Sequence, residues 1–268
     1  MLNKTQLLPD RPGIPPMARL PEPEVIDPSA LSAAYAAGET DLICVVGPTA
    51  SGKTRYAVQL ARALECPAEI LSADSRQVYA GMDIGTGKDL KEYGDVPYHL
   101  IDIVPAGSKF NIYPYQEAFA KAYADIRRRG AVPILCGGSG LYIESVTRAY
   151  KFEKQNGLPD EALPQKPFYI GTLVTREERV ARIDRRLQER LEEGLVEEVR
   201  GLLQTVPAPD LIYYGLEYKF VTRYVLGEIS YEEMEIGLGN AIHQFAKRQM
   251  TWFRGMERDG VRIHWTRP

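Results

Sequence analysis

Gly47, Pro48, Thr49, Ala50, Ser51, Gly52, Lys53 and Thr54 place two glycines, a lysine and a hydroxyl at the spacing G-x-x-x-x-G-K-[ST]. The glycines let successive backbone N–H groups turn inward around a phosphate, Lys53 adds a point charge, and Thr54 offers a hydroxyl to Mg2+. An apolar run, Leu42 to Val46, leads into the loop and a helix-compatible segment begins near Arg55. A helix starting there directs its positive N-terminus at the same anion. The pattern leaves the phosphate compound open, with ATP the default.

A second group, Asp74, Ser75, Arg76 and Gln77, follows the apolar stretch Glu69 to Ser72. A carboxylate at the carboxyl end of a neighbouring strand can bind Mg2+ through water or take a proton from a nucleophile. The same Asp74 would also serve as the cap of a short helix. A third strand end carries Gly137-Gly-Ser-Gly-Leu-Tyr142, including Ser139, where small residues allow close approach before a helix. Arg182 and Arg186 lie one turn apart on a helix and share a face, with Arg179 one turn earlier. Two guanidinium groups so placed can clamp a diphosphate. A solvated face paired with Glu178, Asp184 and Glu189 is the plainer reading of the spacing. Lys247, Arg248, Trp252 and Arg254 offer phosphate contacts and a stacking ring, or simply an exposed basic face with a buried tryptophan.

The elements that must position these groups alternate along the chain. Strand-like runs at Leu42 to Val46, Glu69 to Ser72, Tyr98 to Val104, Val132 to Cys136 and Phe168 to Val174 are interleaved with helical patterns at Arg55 to Leu64, Tyr113 to Arg129, Leu141 to Arg148 and Glu177 to Leu191. This is the pattern of an α/β fold, a parallel sheet of the P-loop NTPase kind flanked by helices. A C-terminal helical part follows, at Gly194 to Leu203, Tyr214 to Leu226 and a long helix from the Ser230 to Glu233 capping box to about Met256. In that last helix Ile242, Phe245, Gln249 and Phe253 share one side. Val261 to Trp265 reads as an edge strand. Residues 1–40 are proline-rich and predict a flexible, extended tail with a short helix at Ser29 to Ala37. Residues 41–149 form the P-loop core, 150–167 a linker, and 168–268 the remainder of the core with the C-terminal helices.

Composition narrows the function classes. The 268 residues carry a formal net charge of -3, which excludes an overall basic coat and makes any RNA contact local. Cys44, Cys66 and Cys136 lack paired metal spacing and predict buried thiols in a reducing compartment. No run approaches a membrane span and no signal pattern opens the chain, so a cytoplasmic protein, with no membrane partner, is expected. A monomer is expected.

Five ordered motifs together resemble the tRNA dimethylallyltransferase family. They are the Gly47 to Thr54 loop, Ser72 to Tyr79 with Gly81 to Lys88, His99 to Val104, Pro133 to Ile143, and Gln244 to Arg254. The resemblance implies transfer of a dimethylallyl group from dimethylallyl diphosphate to N6 of adenosine 37, in tRNAs that read codons beginning with U. It also implies Mg2+, a tRNA anticodon stem-loop as partner, and a diphosphate rather than ATP in the loop. By the same resemblance Asp74 is the general base. Ser75, Arg76 and Gln77 contact the tRNA, Ser139 stands where a threonine is usual near the substrate, and Thr49 to Thr54 hold the diphosphate. Arg182 or Arg186 matches a diphosphate-binding arginine, with Arg186 favoured. Free adenine nucleotide as acceptor and a P-loop small-molecule kinase are the alternatives. Two departures stand out: residues 150–167 occupy the place of a helical insertion that embraces the anticodon stem-loop, and Tyr214-Gly-Leu-Glu-Tyr-Lys219 replaces a Gly-Tyr-Lys-Glu pattern.

Overall fold

A computed structural model describes residues 20–148 and 162–268. Its centre is a six-stranded sheet in the order β4-β2-β6-β1-β7-β8. The strands are β1 (Leu42–Val46), β2 (Ala68–Ser72), β4 (Tyr98–His99), β6 (Val132–Gly137), β7 (Pro167–Thr172) and β8 (Ile263–Thr266), and all pairs are parallel. Every residue of β1, β2 and β6 is buried, as continuous apolar runs require when helices cover both faces. Side chains alternate between two cores. Leu42, Cys44, Val46, Leu71 and Leu135 meet α3 (Ile112–Arg128), α4 (Gly140–Thr147) and the end of α9 (Tyr231–Arg258), while Ile43, Val45, Ile70 and Ile134 meet α2 (Lys53–Ala63).

A third core joins α5 (Arg176–Glu192), α6 (Leu195–Leu202), α7 (Ala208–Tyr214), α8 (Leu216–Val225) and the first half of α9 to Val78, Tyr79 and Met82. α5 buries only Ile183 and Leu187. At about 1.5–3 kcal/mol for each such side chain, that anchor is modest, and the Thr175/Glu178 capping box supplements it. The exposed remainder of α5 is therefore free to carry its arginines.

Four sequence expectations change. The run Tyr98 to Val104 is two short strands, β4 and β5 (Val104–Pro105, paired with β3, Tyr79–Ala80), because Leu100 and Asp102 sit at positive φ and interrupt the pleat. The helix read across Tyr214 to Leu226 is divided at Gly215, φ 79. The part of the N-terminal tail from residue 20 on is docked rather than free: Glu24 N donates to the Trp265 carbonyl at 2.6 Å, and α1 (Pro28–Ala36), capped by Asp27, buries Leu31. Cys66 and Phe245 are half-buried; Cys44 and Cys136 are buried free thiols. Residues 1–19 and 149–161, which include most of the tail and linker readings, lie outside the described residues. Among the described residues no helix is long and apolar enough to cross a membrane.

Candidate active site

The loop Gly47 to Thr54 joins β1 to α2 at the carboxyl end of the sheet, the end where such folds bind ligands. Gly47 passes so close to β7 that a Cβ there would lie 2.2 Å from Thr172 Oγ1. The hydroxyls of Ser51 and Thr172 are 2.6 Å apart, which locks the loop to β7 through a residue not singled out in the sequence. Ala50 and Gly52 adopt left-handed φ of 60 and 82, the alternation that turns amides toward one point. Among the described residues, no hydrogen bond takes up the amides of Ala50, Gly52, Lys53 or Thr54. The Thr49 amide differs: it donates to Gln249 Oε1 at 2.7 Å. Within the Thr49 to Thr54 set expected to hold a phosphate, the Thr49 amide is thus already engaged, as is the Ser51 amide, which donates to the Pro48 carbonyl at 3.3 Å.

Lys53 donates to the Pro48 carbonyl at 3.3 Å. Its ammonium is enclosed although the residue as a whole is half-exposed, and that enclosure holds its pKa below the ordinary lysine value. Cys136 and Asp74 oppose the shift, and Arg186 and Arg190 add to it. The same set places Asp74 within the field of the loop. Burial pushes the Cys136 thiol, hydrogen-bonded to Thr54, up to about 12, so it stays a neutral partner.

Asp74 follows β2. Its Oδ1 accepts the Arg76 amide at 2.9 Å, so the capping reading is half right: it closes a turn and begins no helix. The Ser75 amide donates to Ser139 Oγ at 3.1 Å, tying the β2 loop to the β6 loop. The Arg76 guanidinium lies over the Tyr214 ring, 5.6 Å from its centroid. Gln77 is a brace: Oε1 accepts from Ser72 Oγ at 3.0 Å and Nε2 donates to the Gly87 carbonyl at 3.3 Å. Two buried tyrosine pairs lie behind these loops: Tyr115 and Tyr142, centroids 4.1 Å apart and within the field of Asp74, and Tyr79 and Tyr214, 4.6 Å apart. Burial first, and Asp74 among the lesser causes, keep the Tyr115 and Tyr142 phenols above their usual range.

The two arginines of α5 differ in their contacts. At Gly52 a Cβ would meet Pro268 at 3.3 Å and then Arg182 Nη1 at 3.8 Å, so the Arg182 guanidinium reaches the loop beside Pro268. Arg186 pairs with Asp89 and also donates to the Gly87 carbonyl at 3.4 Å. Arg190, not singled out from sequence, pairs with buried Glu217 at 2.8 Å. Glu217 belongs to the departing segment Tyr214 to Lys219, which the structure explains. Its Tyr214 hydroxyl accepts the Gly107 amide at 2.7 Å, and its Tyr218 hydroxyl donates to Glu198, whose carboxylate takes the amides of Asp83, Ile84 and Gly85. The segment thus holds the Gly81 to Lys88 loop in front of the arginines. Trp252 is half-buried, against the expectation of a buried ring, and lies against Gly140.

Comparison with known proteins joins these features to a family. Residues 77–166 and 151–256 match the family model described as IPP transferase, and residues 40–94 match that described as isopentenyl transferase. The chain belongs to the tRNA dimethylallyltransferase family. It is 46% identical over 283 residues to tRNA dimethylallyltransferase 1 of Parabacteroides distasonis, covering 84% of this chain and 92% of that protein. It is also 46% identical over 282 residues to tRNA dimethylallyltransferase 2 of Porphyromonas gingivalis, covering 84% and 93%. Among solved structures, the tRNA isopentenylpyrophosphate transferase of Bacillus halodurans superposes with a TM-score of 0.74 at 28% identity, covering 85% of this chain and 89% of that one. The Staphylococcus epidermidis transferase gives 0.72 at 29%, covering 84% and 92%. In the first alignment, 84% of 268 residues, about 225, are laid along 283 positions, so about 58 positions of the relative have no counterpart here. The family model's two matched segments meet at 151–166.

Proposed function

We infer that this chain transfers a dimethylallyl group from dimethylallyl diphosphate to tRNA, with N6 of adenosine 37 as acceptor. The observation that carries the reading is that Asp74, after β2, and the Gly47 to Thr54 loop, after β1, stand at the same end of the parallel sheet on either side of β6, with Asp74 in the field of Lys53. The free amides of Ala50, Gly52, Lys53 and Thr54 receive the diphosphate, and Arg182 closes over it from α5. Arg186, held by Asp89 and acting on Lys53, contributes charge from the next turn; the contact of Arg182 with the loop at Gly52 supports giving Arg182 the main diphosphate contact. The N6 nitrogen attacks C1 of the dimethylallyl group, the C1–O bond breaks, and the diphosphate leaves with the electron pair. Asp74 takes the proton N6 sheds. Charge that gathers on the departing oxygen meets donors already in place, which stabilises the transition state more than the ground state. The adenine must leave the loop stack to reach Asp74.

Magnesium fits this donor set. Among the described residues no group of three or more His, Cys, Asp or Glu side chains could cage a metal. Mg2+ in phosphate sites needs only one or two protein oxygens beside the substrate's, and Thr54 Oγ1 is of that kind. When bound it would supply charge neutralisation at the diphosphate.

On the RNA side we propose that the positions missing relative to the family are its helical insertion at 150–167, leaving the grip to local basic residues. Arg179 is held below the usual guanidinium value by burial and then by Arg176 and Arg254, so three like charges gather with no carboxylate paired to them among the described residues. Lys247 and Arg248 are exposed on the same α9. That cluster suits a phosphate backbone despite the net charge of -3. A monomer acting in the cytoplasm goes with this reading. The test supplies dimethylallyl diphosphate labelled in its prenyl group with tRNA carrying adenosine or guanosine at position 37, and with AMP. Label is expected only in the adenosine tRNA; label in AMP alone overturns the acceptor.

A further inference from the structure

Gln249 is a polar residue on the otherwise apolar side of α9 and is 7% exposed. It sits between two strand-end loops and bonds both. Its Oε1 accepts the Thr49 amide at 2.7 Å and its Nε2 donates to the Gly138 carbonyl at 3.0 Å. These bonds fix the amide's orientation, since exchanging O and N would set donor against donor and acceptor against acceptor. A Cβ on Gly138 would lie 2.3 Å from Nε2, so glycine at that position admits the amide. Trp252, one turn on, covers Gly140 of the same loop.

We propose that Gln249 is a positioning residue that sets the diphosphate loop against the base-side loop; the proposal rests on reading Gly47 to Thr54 as the diphosphate seat. Tethering the Thr49 amide outward fixes the entry of the loop, and the following amides then converge on the anion. At its other end the side chain holds Gly138, next to Ser139, which takes the Ser75 amide and so steadies the Asp74 turn. One amide group thereby sets the spacing between the leaving group and the base. Only a side chain with both an acceptor and a donor at this reach can do so.

The experiment uses the full chain with Gln249→Met, which keeps length and volume, and Gln249→Glu, which keeps the acceptor and loses the donor. Steady-state transfer is measured against each substrate, and inorganic pyrophosphate binding is measured by calorimetry. The expected result for Gln249→Met is a roughly tenfold rise in KM for dimethylallyl diphosphate and in pyrophosphate Kd, the equivalent of one lost pair of net hydrogen bonds, with KM for tRNA within about twofold. Gln249→Glu is also expected to bind pyrophosphate more weakly, because it loses the donor to the Gly138 carbonyl and sets a negative charge against that oxygen. Pyrophosphate affinity within about twofold of the parent in Gln249→Met, or equal losses for both substrates together with a fallen melting temperature, overturns the proposal. If the parent chain binds pyrophosphate yet transfers no label to tRNA, the functional reading falls, and the pyrophosphate series still decides the role of Gln249.

Discussion

Asp74→Asn isolates the proton-accepting role of the carboxylate from its part in the fold. Asp74 Oδ1 accepts the Arg76 amide at 2.9 Å, and an asparagine Oδ1 accepts it equally well. The surrounding ties, Ser139 to the Ser75 amide at 3.1 Å and Tyr115 to the Ser72 carbonyl at 3.1 Å, do not involve the carboxylate. The asparagine variant should therefore keep its stability, whereas Asp74→Ala gives up one turn hydrogen bond, about 0.5–1.5 kcal/mol. Diphosphate affinity should hold or improve in both, because a negative charge in the field of Lys53 is removed. Transfer should collapse. A positioned general base contributes about 10²- to 10⁴-fold, which is about 2.7–5.4 kcal/mol of barrier. The assay is single-turnover transfer of prenyl label, with enzyme in excess of tRNA and dimethylallyl diphosphate saturating, so that chemistry rather than product release is read. A rate for Asp74→Asn within tenfold of the parent would refute the base assignment; equal losses of rate and pyrophosphate affinity would show a disturbed pocket instead.

Arg182→Ala is expected to raise KM for dimethylallyl diphosphate about tenfold or more, and Arg186→Ala by less, because Arg186 is already engaged with Asp89. The reverse order in steady-state kinetics would return the diphosphate contact to Arg186. Lys53 binds the diphosphate only while protonated, and burial lowers its pKa. Affinity of the free enzyme should be full at neutral pH and should fall as pH rises through that lowered value, below the ordinary 10.5. Calorimetry across that range should show the limb, and Lys53→Met should lack it. Glu217→Ala leaves the Arg190 charge buried without its partner, and denaturant unfolding should show a loss of about 3–5 kcal/mol.

Much of the site was legible because it is built from short contiguous motifs at strand ends. Gly47 to Thr54 declares itself by spacing, and the Ser72 to Tyr79 and Gly137 to Tyr142 segments follow apolar runs whose parallel pairing brings them to one edge. Gln249, Thr172 and Glu198 were not legible as site residues. Each acts through a partner more than a hundred positions away, at 2.7 Å to Thr49, 2.6 Å to Ser51 and 2.8 Å to Asp83, and no local pattern encodes such a distance. In Gln249 the signal was a lone polar residue on an apolar helix face. The strand read across Tyr98 to Val104 failed for a local reason: Leu100 and Asp102 take left-handed backbone that β-propensity does not foresee. In the same way the Arg182 and Arg186 face reads as a salt-bridged surface until the packing of α5 is known.

The sequence by itself determined the chemistry: a phosphate cradle, a carboxylate at the next strand end and paired arginines are each a matter of residue type and short-range spacing. Tertiary structure decided which groups touch. It engages the Thr49 amide with Gln249, brings Arg182 near Gly52 and Arg186 to Asp89, links Gln77 to Ser72 and the Gly87 carbonyl, and joins Tyr218 to the Glu198 carboxylate that takes the amides of the Gly81 to Lys88 loop. Hydrogen bonds and ion pairs act over a few ångströms, and which groups come within that range depends on how α5, α8 and α9 pack against the sheet.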